Sequence, residues 1–236
     1  MLRAVLFDLD GTLLDLDLDT FLRRYFAALR DATGELAGAD RADELMDAVQ
    51  AATGAMMRPH PGHTNRDVFY ADFLARTGID LEEDWEVFER FYRDVFPGLG
   101  GASGPAPGAR DALETALDLG LSVAIATNPI FPRAAVEERL AWAGLHDLDI
   151  PVLTTYEIMT ACKPLPGYFL QTADLVGVAA SACLMVGDDR ALDLPAADVG
   201  MRTFYVGSSA DAPADYRGTL EELVGLLPRL VSENAG

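Results

Sequence analysis

The chain has 236 residues, which is room for one ordinary α/β domain with a modest insert. Half of the residues are hydrophobic and 24% are charged, a balance that excludes disorder as the dominant state and predicts a real core. With 38 acidic against 18 basic residues the formal charge is −20, which argues against nucleic acid and anionic membranes as partners.

No apolar run approaches the ~20 residues of a membrane-spanning helix, and an acid at Asp8 arrives before a signal-peptide core could form. Two cysteines, Cys162 and Cys183, are too few for a disulfide scaffold or a zinc knuckle. These features predict a cytoplasmic protein. Residues 2–9 form an apolar run that stops at Asp10-Gly11, a buried strand entering a turn in which Gly11 is free to take a positive φ. Asp15, Asp17 and Asp19 then recur at every second position and read as a solvated connector; a calcium loop would need glycine at Thr20 and an acid at Phe26.

From about 20 to 96 the periodicity is helical. Phe21, Leu22, Tyr25, Phe26 and Leu29 repeat at i, i+3, i+4 spacing, as do Leu45, Met46 and Val49; Val68, Phe69 and Phe73, then Trp85, Phe88, Phe91 and Tyr92, continue it. The Gly- and Pro-rich run 97–105 suits a linker or hinge. Beyond it the chain alternates: helix 109–119, strand 121–127, helix 132–142, strand 151–155, helix 166–175, strands 182–186 and 203–206, and helix 219–230. Strands separated by helices imply a parallel sheet covered on both faces, and the first strand must join it because the helical block holds no partner for it. The expected fold is α/β: a Rossmann-like doubly wound parallel sheet core made of residues 1–15 and 105–236, with an all-helical domain, 16–104, inserted.

Three expected strands end in polar residues, and open α/β sheets bind ligands at the carboxyl ends of their strands. Those ends carry Asp8, Asp10 and Thr12; Thr127 and Asn128; and Asp188, Asp189 and Asp193. Of the 18 basic residues 17 are arginine, and the single lysine, Lys163, precedes Pro164, which favours an extended backbone that projects the side chain. If Asp8, Asp10 and Asp188 converge, each pair repels by roughly 4 kcal/mol at ~4 Å and an effective dielectric of ~20. A cation or raised pKa values must relieve that repulsion. All-oxygen ligation by few protein groups suits Mg²⁺, and a cation, a lysine, hydroxyls and strand-end amides together make a phosphoryl site.

Phe7-Asp8-Leu9-Asp10-Gly11-Thr12-Leu13, Ala126-Thr127-Asn128, Cys162-Lys163-Pro164 and Val186-Gly187-Asp188-Asp189-Arg190-Ala191-Leu192-Asp193 resemble, in order, the four motifs of the haloacid dehalogenase-like (HAD) superfamily. The helical insertion after the first motif is similar to that family's type-1 cap. The resemblance implies that Asp8 is a nucleophile forming an aspartyl-phosphate and that Asp10 protonates the leaving oxygen and then deprotonates water. It further implies a Mg²⁺ site made by the Asp8 and Asp188 carboxylates and the Asp10 carbonyl. Thr127 and the Asn128 amide would hold phosphate oxygens, and Lys163 would neutralise charge between phosphate and Asp8. Thr12, Asp189 and Asp193 would stand behind these groups and orient water or Lys163, although Asp189 and Asp193 also read as charges at a helix N-terminus. Asp189 departs from the small residue commoner in the family at that position.

Substrate choice must come from the insert, because the sheet contacts only the phosphoryl group. Arg58 or His60, in a loop with two of the three histidines, and Arg23 and Arg24 are the candidates for reaching a leaving group; Thr64 or Asn65 reads as the cap of the next helix. The expected function is a Mg²⁺-dependent phosphatase of a small soluble phosphomonoester, with a phosphosugar mutase as the alternative. Asp10 and Asp188 argue against a 2-haloacid dehalogenase, which has no phosphate to handle. Cys162, Trp85 and Trp142 read as packing.

Overall fold

The computed structural model describes residues 1–83 and 85–232, with the side chains of residues 35–37 and 39 outside that description. The chain runs β1 (Ala4–Phe7), β2 (Leu14–Asp15), then helices α1 (Leu18–Ala37), α2 (Ala42–Met56), α3 (Asn65–Thr77) and α4 (Trp85–Arg90) before β3 (Gly104–Pro105). It continues α5 (Ala109–Asp118), β4 (Ser122–Ile125), α6 (Arg133–Trp142), β5 (Val152–Leu153), α7 (Pro166–Leu175), β6 (Cys183–Gly187), β7 (Arg202–Val206), β8 (Tyr216–Gly218) and α8 (Leu220–Ser232).

Six strands pair in the order β5-β4-β1-β6-β7-β8, all parallel. The pleat sorts their side chains: Val5, Phe7, Val123, Ile125, Leu184 and Val186 face α5 and α8, while Ala4, Leu6, Ala124 and Met185 face Tyr168 and Phe169 of α7. Both faces are covered, so β1 is buried at every position and reads as a continuous apolar run rather than an alternating one. Sequence order begins at the centre of the sheet and proceeds first to one edge, then to the other. The reversal lies at β1, between β4 and β6, which is where a crevice opens at the carboxyl ends of the strands.

The expected α/β class and helices stand, but three of the strands, β1, β4 and β5, are shorter than their apolar runs. Residues 2–9 give only Ala4–Phe7, and 151–155 only Val152–Leu153, because the last residues of each run leave the ladder to build loops over the sheet. Two features were not anticipated. β8 extends the sheet, and β2 pairs antiparallel with β3 (Leu14 opposite Pro105, Asp15 opposite Gly104), tying together the two passages between the sheet and the helices. The expected hinge at 97–105 thus ends in a short paired ribbon.

Between those passages the helices bury their own aromatic cluster, Phe21, Tyr25, Phe73, Phe88, Phe91 and Phe96, joined by Phe131 and Ala135 from the sheet side. Each fully buried ring contributes roughly 1.5–3 kcal/mol, so the cluster both stabilises the helices and fastens them to α6. Ahead of Pro97 the helical pitch loosens to a π turn over Phe91–Val95 and tightens over Phe96–Leu99, as proline removes a backbone donor there. Among the described residues no helix is long and apolar enough to cross a membrane.

Candidate active site

Asp8 is the first residue past β1 and still donates its backbone N–H to the Val186 carbonyl (2.8 Å), so the sheet itself aims its carboxylate. Lys163 Nζ lies 2.7 Å from Asp8 Oδ1 and 2.6 Å from Asp193 Oδ1, with its side chain 1% exposed. One ammonium therefore bridges two carboxylates out of reach of water. Burial works against that charge, but Asp193 and Asp8 outweigh it and hold Lys163 protonated above the ordinary lysine range. For Asp8, burial pushes the carboxyl up, Lys163 pulls it down, and the neighbouring Asp193 and Asp10 charges push it up again; the net direction is upward.

Asp188 follows β6. Its Oδ1 accepts from Thr12 Oγ1 at 2.9 Å, while burial, the larger effect, raises its carboxyl. Gly11 has φ +84° and passes so close that a Cβ there would overlap the Asp188 carboxylate; only glycine satisfies both demands. Carboxylate oxygens of Asp8, Asp188 and Asp193 lie within 4.8 Å of one another. Three carboxylates facing one ammonium leave two negative charges uncompensated, and hard oxygen donors with that residual charge fit a divalent cation such as Mg²⁺. Asp193 is fully buried with Oδ1 on Lys163 and Oδ2 accepting from the Asp189 N–H (3.0 Å), so it orients the lysine. Asp189 itself folds back, its Oδ1 accepting from Ala191 and Leu192 N–H groups at 2.7 and 3.0 Å.

Thr127 and Asn128 follow β4 on the other side of Asp8. The Thr127 carbonyl accepts from Thr154 Oγ1 (2.7 Å) and Tyr168 OH (2.9 Å), and Asn128 Oδ1 accepts from the Lys163 N–H (3.2 Å). Asp8, Lys163, Asp188, Asp193, Thr127 and Asn128 thus surround one end of the central strand. The haloacid dehalogenase-like hydrolase family model matches residues 2–199. The chain belongs to that hydrolase family.

Among relatives of this hydrolase, Phosphatase MT3486 of Mycobacterium tuberculosis (strain CDC 1551 / Oshkosh) is 35% identical over 103 residues, 44% of this chain. The chain spans about half the length of that curated relative, 46%. A HAD phosphatase from Thermococcus onnurineus superposes with a TM-score of 0.59 at 26% identity, over 96% of this chain and 98% of that one. A 2-haloacid dehalogenase from Pseudomonas syringae pv. Tomato DC3000 also gives 0.59, at 24% identity over 100% of both chains, and shares the fold.

The hydrolase does not gather every expected residue. The Asp10 side chain turns away from the other three carboxylates and pairs through Oδ2 with Arg139 Nη1. Arg139, on α6, was not singled out from the sequence; it is 1% exposed, donates Nε to the Ala135 carbonyl (3.2 Å) and lies 4.7 Å over the Phe131 ring. A signal was present: Arg139 shares the helix face of Ala135, Val136 and Leu140, which is the buried one.

Arg58, His60, Arg23 and Arg24 have their hydrogen bonds and packing away from the Asp8, Asp188 and Asp193 carboxylates. Arg58 Nε donates to the Gly54 carbonyl, Arg23 to Thr20 Oγ1, and Arg24 packs at Gly101. His60 sits between the Arg58 carbonyl (Nδ1, 2.6 Å) and Asn65 Oδ1 (Nε2, 2.8 Å). Thr64 caps α3 in a reciprocal capping box with Asp67, while the fully buried Asn65 donates Nδ2 to the Pro129 carbonyl (2.9 Å) and to Cys162 Sγ (3.3 Å). Asn65 therefore clamps the loops that carry Asn128 and Lys163. Burial pushes the Cys162 thiol up to about 12, as suits packing rather than nucleophilic work. An apolar cavity of about 80 Å³ lies between the helices and the loop after Asn128, walled mainly by Tyr25, Phe26, Phe69, Trp85, Tyr92 and Phe131.

Proposed function

We propose that this hydrolase is a Mg²⁺-dependent phosphatase of a small phosphomonoester, working through an aspartyl-phosphate intermediate on Asp8. The observation that carries the reading is the bridging of Asp8 and Asp193 by the buried Lys163 beside Asp188. A nucleophilic carboxylate next to a fixed cation is an arrangement for attacking a dianion that would otherwise repel it. The curated phosphatase relative supports the same class.

Asp8 and Asp188 would hold Mg²⁺, with the Asp10 carbonyl as a further ligand, and the ion would supply charge neutralisation at the phosphoryl oxygens. Thr127 and the Asn128 N–H would receive those oxygens at the end of β4. Asp8 attacks phosphorus, Lys163 balances the charge that accumulates between them, and Asp10 supplies the proton the leaving oxygen needs. Water then attacks phosphorus, loses its proton to Asp10, and frees Asp8. Residues 16–104 would act as a cap over a core of 1–15 and 105–236, excluding bulk water and contacting the leaving group. The −20 charge suits a small-molecule substrate in the cytoplasm rather than nucleic acid or a membrane.

The test is a screen of phosphomonoesters for released phosphate with and without Mg²⁺. Release that EDTA abolishes and Mg²⁺ restores is the expected outcome. EDTA-insensitive release overturns the metal assignment, and an isomerised sugar phosphate in place of free phosphate moves the activity to a mutase.

A further inference from the structure

Asn65 opens α3 of the helical insert, and none of its surface meets solvent. We propose that Asn65 is a positioning residue for the phosphoryl-binding groups: one carboxamide, sent in from the insert, fixes the loop of Asn128 against the loop of Lys163. This inference rests on the phosphatase reading.

The carboxamide has a single orientation open to it. Its Nδ2 donates to the Pro129 carbonyl at 2.9 Å, and an oxygen in that place would face another oxygen. Nδ2 also donates to Cys162 Sγ (3.3 Å), Oδ1 faces His60 Nε2 (2.8 Å), and the backbone N–H donates to the Met159 carbonyl (2.7 Å). Every polar atom of the side chain is thus engaged. The two Nδ2 partners, 64 and 97 residues along the chain from Asn65, are the immediate neighbours of Asn128 and Lys163.

Both neighbours transmit the hold. Proline fixes its own φ, and the Asn128 carbonyl accepts from the Ile130 N–H at 2.9 Å, so the turn after β4 moves in one piece with the Pro129 carbonyl. On the other side the Cys162 carbonyl accepts from the Leu165 N–H (3.0 Å), which ties that loop to the start of α7. The two loops already share one direct bond, from the Lys163 N–H to Asn128 Oδ1 at 3.2 Å. One such bond leaves a pivot. Asn65 supplies a second tie at a different point, and two ties fix an angle as well as a separation.

Packing alone does not require an asparagine here. Thr64 already caps α3 with Asp67, and a leucine has the same branched shape with no polar group to satisfy. A fully satisfied buried network, in contrast, specifies one geometry. The groups so placed are the Asn128 N–H and the Lys163 ammonium, which would receive a phosphate dianion beside Asp8. Because Asn65 belongs to the insert, its competing role is contact with the leaving group. The two roles separate on substrates: a residue that places phosphoryl-binding groups acts alike on every phosphomonoester, whereas one that touches the leaving group discriminates among them.

The experiment measures kcat/KM for p-nitrophenyl phosphate and ethyl phosphate, and the calorimetric affinity for inorganic phosphate, all with Mg²⁺ present, in wild type, Asn65→Leu and Thr64→Ala. Thr64→Ala weakens the start of α3 without touching the carboxamide, so it reports what a purely structural loss does. For Asn65→Leu we expect kcat/KM to fall about 10²-fold on both substrates and phosphate to bind about tenfold more weakly, against changes under about twofold for Thr64→Ala. Unequal losses on the two substrates, or an Asn65→Leu variant that behaves as Thr64→Ala does, overturn the proposal. If Asn65→Leu does not fold, Asn65→Asp, which keeps the shape and sets an oxygen against the Pro129 carbonyl, decides by the same criteria. Wild type that neither releases phosphate from any phosphomonoester nor binds inorganic phosphate removes the phosphatase reading instead, and this inference with it.

Discussion

The carboxyl edge of the sheet and the outer surface of the helical segment use the same charged groups to opposite ends. On the helices, Arg30 meets Asp43, Arg41 meets Glu44, Arg76 meets Asp72 and Arg93 meets Asp94, all in water. At the edge, the Lys163, Asp193 and Arg139 side chains are 1% exposed, and their partners Asp8 and Asp10 are 12% and 19% exposed. Water screens the first set, so those pairs contribute little; the second set has surrendered its hydration and depends wholly on its partners. An ion pair is thus a weak stability device on the helices and an obligatory one at the strand ends, where it also holds chemistry in readiness.

The contrast can be broken most sharply at Asp8. Asp8→Asn should lower phosphate release from p-nitrophenyl phosphate by roughly 10³-fold or more with the circular dichroism spectrum unchanged, and retained turnover would remove the nucleophile assignment. Lys163→Met leaves Asp8 and Asp193 buried without their cation, and urea denaturation should show a loss of about 3–5 kcal/mol. A variant as stable as wild type would mean that the two carboxyls neutralise themselves by taking up protons.

Metal binding sharpens the comparison through pH. The Asp8 and Asp188 carboxyls are raised in the folded chain, so the folded state binds more protons than the unfolded one above the ordinary carboxylate range, and metal-free stability falls as pH rises through that window. A cation competes for the same oxygens, so the thermal shift produced by Mg²⁺ should be larger at pH 8 than at pH 5; a shift independent of pH would place the ion elsewhere. Thr64→Ala, which removes the cap of α3, should cost about 1 kcal/mol in the same denaturation assay. Arg76→Ala, on the exposed helix surface, should leave the denaturation midpoint indistinguishable from wild type.

What could be read from the sequence follows the same divide. Asp8, Thr127, Lys163 and Asp188 were legible because each sits where an apolar run stops or beside a proline, positions at which a polar residue needs a reason. Arg139 was not, since an arginine in an amphipathic helix looks like every exposed arginine until its neighbours at one and four residues' distance prove to be buried. Asn65 was hidden by Thr64, whose capping role is the commoner use of such a pair. β2, β3 and β5 have two residues each, too few for a period to show, and their pairing depends on partners about 30 to 90 residues away, beyond any local pattern.

The burial of Lys163 has a practical corollary. Apart from the three histidines, every other basic side chain in this protein is a guanidinium, so the sole side-chain amine lies inside the crevice beside Asp8 with 1% of its side-chain surface in solvent. An amine-directed acylating reagent can modify a side chain only when that crevice opens. Its rate of incorporation at position 163 is a chemical clock for the breathing of the site, and a tightly held phosphate analogue should slow it.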